Sequence, residues 1–272
     1  MRGFLTAKGL IGLALVGLIV GVALIAPLVI PPEYATRMDM RARLAPPSWA
    51  HLLGTDQLGR DLMYRVMLGA QTSLGIAVAA VLMSIVVGLP LGMVSGYFGG
   101  RIDNVLMRLV DTLLSFPALL LALTISAVLG PNLQNTIIAI GIAFTPYLAR
   151  IIRGEALRVA AMPYVEAARA SGTTDGMMMI RHILPNIMPA VIVQGTISLA
   201  FAILAEAGLS FLGLGTQPPS ASWGLMIQAS RDYLDRGPWT ALVPGAAVAL
   251  TVLGLNMLGD TLRDVLDPRR KT

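Results

Sequence analysis

The chain has 272 residues, 56% of them apolar and 13% charged, with a net charge of +5 and a mean hydropathy of +0.74. Soluble domains carry about 25% charged residues, so this composition excludes a water-soluble globule, and its high apolar content excludes a disordered chain. Cysteine is absent and the two histidines, His51 and His182, lie far apart, which leaves no thiolate chemistry and no local metal-ligand pair.

Charge-free intervals predict the membrane spans in chain order. Residues 10–30 would make a helix of about 31 Å, against a hydrocarbon core of about 30 Å. A cleavable signal peptide fits this interval poorly, because Pro27 follows the only suitable cleavage residue, Ala26, and Leu24 stands where a small residue is needed. Residues 66–100 are uncharged, with an apolar centre at about 74–94. Residues 112–149 form a 38-residue uncharged run broken by Gly130-Pro131-Asn132. That tripeptide is turn chemistry, so the run divides into spans at 113–129 and 136–149. A fifth span, 188–212, contains one acid, Glu206, and a sixth covers 241–258. The expected fold is an all-α polytopic membrane protein of six transmembrane helices. Residues 1–73 form a first helix with an extracytoplasmic segment, and 74–272 a five-helix core with an inner loop at 150–187.

Six spans put both termini on one side. With the termini in the cytoplasm, thirteen basic residues fall inside and seven outside, the direction of the positive-inside bias. The 18 arginines are scattered between apolar runs without a basic block, which argues against nucleic acid as a partner.

The inner loop predicts a helix–turn–helix. Pro163 suits a first helical turn, Glu166 complements the positive end of the helix dipole, and Gly172 suits the left-handed residue after the end. Ala167, Ala168 and Ala170 make this helix slim. Thr173, Thr174 or Asp175 can cap a second short helix, and Pro185 with Pro189 is expected to interrupt the chain before the fifth span. On these features alone, a solvated connector is an equally good reading.

The order Glu166-Ala167-Ala168, Gly172, Leu184-Pro185 resembles the EAA loop of ABC importer permeases. The usual isoleucine two places before Leu-Pro is His182 here, and the run RHILPN at 181–186 resembles the peptide-importer branch. Further stretches resemble the dipeptide, oligopeptide and nickel importer family: HLLGTDQLGRD at 51–61, GGRIDNVLMRLVDTLLSFP at 99–117, FLGLG at 211–215 with its following QPP and SWG, and NMLGDTLRDVLDP at 256–268. Two of these, GTDQLGRD and FLGLG with QPP and SWG, are similar to the C-type permease of that family.

The resemblance implies a type I ABC importer permease fold in the bacterial cytoplasmic (inner) membrane. It implies an ATPase-coupling loop built from Tyr164, Val165, Glu166, Ala167, Ala168, Arg169, Ala170, Ser171, Gly172, His182, Leu184 and Pro185. The partners implied are a second homologous permease of the B-type, two cytoplasmic ATP-binding subunits, an extracytoplasmic solute-binding protein and the lipid bilayer. The implied cargo is a dipeptide or oligopeptide, with nickel or another small solute as the alternative. No GxxxxGK[ST] run exists, since the only lysines are Lys8 and Lys271. The chain is therefore expected to be non-catalytic and without a cofactor of its own, ATP and Mg being bound by partner subunits.

Other features admit two readings each. Glu206 either lines a translocation path or gate, or hydrogen-bonds a neighbouring helix; as a proton relay it would serve an ion-coupled secondary transporter, which lacks an evident inverted repeat. Gly88, Gly92 and Gly96 give one helix face room for close approach, within the subunit or against a partner. Residues 101–116 are amphipathic and bring Arg108 within i,i+3 reach of Asp111. Asp56, Arg60 and Asp61 are candidate outer-surface contacts, with an Arg60–Asp61 pair reaching across the assembly or stabilising a local turn. Trp49, Trp223 and Trp239 are expected to anchor at the membrane interface.

Overall fold

Lipid offers no partner to backbone N–H and C=O groups, so a span must satisfy them within its own segment, and the apolar intervals fold as helices. The computed structural model describes residues 6–266. Among these, the helices are α1 (Ala7–Val29), α2 (Pro32–Thr36), α3 (Leu62–Phe98), α4 (Gly100–Leu114), α5 (Ala118–Leu129), α6 (Leu133–Ala160), α7 (Pro163–Ala170), α8 (Asp175–Met178), α9 (Leu184–Phe211), α10 (Trp223–Ser230) and α11 (Trp239–Leu266). Helices α1, α3, α6, the continuous unit Asp175–Phe211 and α11 are long and apolar enough to cross a membrane. The bent pair α4–α5 makes a sixth span if counted as one.

Three elements differ from the sequence expectation. The third span does not run straight through 113–129. The chain turns by 84° between α4 and α5, because Pro117 disfavours helical geometry at the residue before it, and α5 itself has only 12 residues. Pro185 and Pro189 do not interrupt the fifth span. A π-helical turn at Met179–Ile183 widens the helix just before Pro185, where the ring would otherwise press on the preceding turn. The second helix extends well beyond its apolar centre. Asp61 accepts the Met63 N–H at 2.9 Å and starts α3 at Leu62, and its 37 residues continue unbroken through residues 73 and 74, where the sequence division was placed.

The glycine stripe packs within the chain. Gly88, Gly92 and Gly96 lie against the α6 backbone at Thr145, Ala149 and Arg153, and a Cβ at Gly92 would stand 2.4 Å from the Ala149 carbonyl oxygen. Alanines carry the same theme into the core, where Ala77, Ala80, Ala139, Ala143 and Ala202 are fully buried. α1 rests on α11, with Gly12 against Met257 and Gly254 against Leu15. The Lys8–Asp260 ion pair at 2.5 Å closes that contact near the start of α1.

Candidate functional site

The inner loop is built from caps and one anchor. α6 continues past the predicted span to Ala160, and Pro163 opens α7 in its first turn. Gly172 follows α7 at φ +83°, and its N–H bonds the Arg169 carbonyl at 3.0 Å while Thr173 bonds that of Ala168 at 3.2 Å. Val165 is buried with Tyr97, Ile152, Val159, Met178 and Ile183. Tyr164, Glu166, Ala167, Arg169, Ala170, Ser171 and Gly172 remain exposed, and Ala168 is half-buried against the anchor cluster. The second half of the predicted set lies close by. The His182 ring is 6.3 Å from that of Tyr164, with Leu184 half-buried and Pro185 exposed.

Tyr97, which sequence reasoning did not single out, ties this hairpin to the bundle. The Tyr97 hydroxyl, at the end of α3, donates to Asp175 Oδ1 at 2.6 Å, and the Arg169 guanidinium sits 5.4 Å from the Tyr97 ring centre. Contact with the Tyr97 phenol pushes the Arg169 pKa up from its ordinary value. Arg153, about two turns before the end of α6, holds both oxygens of Asp103 at 2.5 Å, and Ser95 donates to the same carboxylate. Asp111 pairs with Arg150 rather than Arg108, the i,i+3 neighbour expected from the sequence. These contacts tie α6 to α4 through Arg153 and Asp103, and the hairpin to α3 through Tyr97.

Glu206 occupies a second polar centre, at 0% exposure. Ser73 of α3 donates to Oε2 at 3.0 Å and Ser210 of α9 to Oε1 at 2.8 Å. The Ser73 hydroxyl in turn accepts the Trp223 N–H at 3.2 Å, and the Ser210 hydroxyl accepts that of Thr216 at 3.2 Å. The carboxyl thus ties two spans to the segment that precedes α10, and within this chain it has no open side from which to meet cargo. Glu206→Gln is expected to assemble and import normally, whereas Glu206→Leu leaves two buried hydroxyls without an acceptor, at about 1–3 kcal/mol. Thermal unfolding and uptake per assembled complex check this pair, and lost uptake in a stable Gln variant would return Glu206 to the path.

At the opposite end of the bundle, Asp56 is buried and accepts from Arg60 Nε at 2.6 Å and from the N–H groups of Leu58 and Arg60. Arg60 therefore pairs with Asp56 and not with the adjacent Asp61, whose carboxylate caps α3 and meets His51 Nδ1 at 2.9 Å. The tryptophans also divide. Trp49 is exposed, but Trp223 is buried and donates to the Val66 carbonyl at 3.0 Å, while Trp239 donates to that of Thr55 at 3.2 Å. Trp223 is thus a packing residue and not an interfacial anchor.

Comparison with known proteins follows the same lines. The family model described as "Binding-protein-dependent transport system inner membrane component" matches residues 88–272. The chain is 43% identical to the di/tripeptide transport system permease protein DppC of Pseudomonas aeruginosa, over 99% of this chain and 91% of that protein. It is 41% identical to the dipeptide transport system permease protein DppC of Alkalihalophilus pseudofirmus, over 97% and 86%. A chain of the methionine ABC transporter MetNI, solved in inward-facing conformations, superposes with a TM-score of 0.61 at 20% identity, covering 76% of this chain and 98% of that one. This last likeness shows a shared fold.

Proposed function

The chain belongs to the family of binding-protein-dependent transport system inner membrane components, and on that premise we propose that it is the permease subunit of an ABC importer for short peptides. The names of its relatives support the peptide cargo. The observation that carries the mechanical half of the reading is α7, a capped helix fixed by buried Val165 with a small-residue face turned outward.

In this reading α7 seats in a groove of a cytoplasmic ATPase, which places both chain termini in the cytoplasm. A second, homologous permease completes the translocation path, and a solute-binding protein delivers peptide to the opposite end. The chain itself performs no hydrolysis. When the ATPase pair closes, α7 moves with it, and the Arg153–Asp103 and Tyr97–Asp175 bonds carry that displacement into the spans. Each ligand shifts the inward–outward equilibrium only by its differential affinity for the two states.

The test is uptake of a labelled dipeptide into proteoliposomes that hold the four-subunit complex. Uptake is expected to need both ATP and the binding protein. Uptake driven by an ion gradient without ATPases would overturn the importer reading, and uptake of a nickel chelate in place of dipeptide would overturn the cargo.

A further inference from the structure

α4 sorts its side chains into three sectors. Towards the body of the protein it buries Asp103 and Val110; both of its acids are neutralised, the buried Asp103 by Arg153 and the exposed Asp111 by Arg150. A second sector is apolar and bare. Ile102, Val105 and Leu109 are 45%, 62% and 64% exposed, and the exposed rings of Phe98 and Phe116 continue it at either end. The third edge carries Arg101 and Arg108, seven residues and so about two turns apart. Both are exposed, and among the described residues neither has an ion-pair partner.

The 84° corner at Pro117 sets the direction of this helix. α5 packs beside the long span α6, so α4 lies across the direction of the spans, at the end of the bundle where Arg153 holds Asp103 and Tyr97 meets Arg169 of α7. We propose that α4 is an interfacial helix seated on an anionic phospholipid surface, with Ile102, Val105 and Leu109 among the acyl chains and Arg101 and Arg108 on headgroup phosphates. Charge selects this occupant. Both acids of α4 are paired, Asp103 buried and Asp111 exposed, and the uncompensated charge left on its outer edge is positive, as an amphipathic helix on an anionic leaflet requires. An open cavity of about 560 Å³ between α4 and α6 is lined by the Asp103–Arg153 and Asp111–Arg150 pairs and by Arg108. The charge of Arg108 alone is uncompensated there, and the cavity leaves room for a headgroup beside it. The inference rests on the chain crossing a bilayer and not on what it carries.

Leu109→Trp and, separately, Val105→Trp place a reporter in the apolar sector of the assembled importer. The test reconstitutes each in nanodiscs containing brominated phosphatidylcholine or brominated phosphatidylglycerol, with the fluorescence of the parent complex subtracted. Both reporters are expected to be quenched by either lipid, with about tenfold preference for phosphatidylglycerol at low salt, shrinking as salt rises. Adding Arg101→Gln and Arg108→Gln is expected to abolish the preference while the quenching by phosphatidylcholine persists. Absence of quenching at both reporters would show that protein covers this face and would overturn the proposal. Equal quenching by the two lipids in the arginine-bearing complex would overturn the anionic assignment.

Discussion

Ala167→Trp is expected to lower peptide uptake at least about tenfold while the melting temperature of the purified chain stays unchanged. Ala167 is exposed on α7 and belongs to the small-residue face that the proposed function turns toward an ATPase groove. An indole there meets nothing in this chain, so the fold has no reason to weaken. Docking has to accommodate the added volume, and overpacking a close contact costs about 1–3 kcal/mol, of which 1.4 already makes a factor of ten. Val165→Ala gives the contrasting pattern. Val165 is the buried anchor of the same helix, so its truncation lowers thermal stability and uptake together. Side-by-side melting and uptake measurements separate the docking face from its seat. Unchanged uptake in the Trp variant would remove α7 from the coupling path.

The second large effect concerns the α3–α6 contact. Gly92→Leu is expected to prevent accumulation of folded, monodisperse protein. Its Cβ would meet the Ala149 carbonyl oxygen at 2.4 Å and the Ile152 Cβ at 2.9 Å, and the first of these is helix backbone that no rotamer change can move aside. The two longest-packed spans must separate, at a cost of about 3 kcal/mol, along a seam that extends through Gly88 and Gly96. Gly75, in the same helix, has open space where its Cβ would stand. Gly75→Ala is therefore expected to be neutral or to stabilise by about 0.5–1 kcal/mol through helix propensity. Size-exclusion profiles and melting curves in detergent check both, and a well-folded Gly92→Leu would show that the helices do not approach as described.

Local chemistry was legible in the sequence, and contacts across the fold were not. Pro163, Glu166 and Gly172 act within a few residues of themselves, and α7 starts and stops where they place it. The spans at α1 and α11 follow from charge-free length alone. The start of α6 follows from the Gly130-Pro131-Asn132 turn, and its far end runs on past the charge-free interval to Ala160. The corner at Pro117 was hidden because the residues around it are as apolar as a span, so composition gives no break there. Pro185 and Pro189 misled in the opposite sense, since a π turn accommodates what normally ends a helix. Asp103 finds Arg153 fifty residues away, and Glu206 finds Ser73 at a separation of 133. No spacing rule reaches that far. The burial of Trp223 depends likewise on Gly69 leaving room for its ring.

The absence of cysteine from the chain allows the most direct test of α7 as the ATPase-docking element. Ala167→Cys creates a unique thiol on its exposed face. In the complex assembled with the ATP-binding subunits and the solute-binding protein, a short thiol-to-amine crosslinker is predicted to join this residue to an ATP-binding subunit. Trp49→Cys, at the far end of the bundle, is predicted to give no such product. Crosslinking of Ala167→Cys to the binding protein, or of Trp49→Cys to an ATP-binding subunit, would contradict both the docking role of α7 and the orientation of the chain in the membrane.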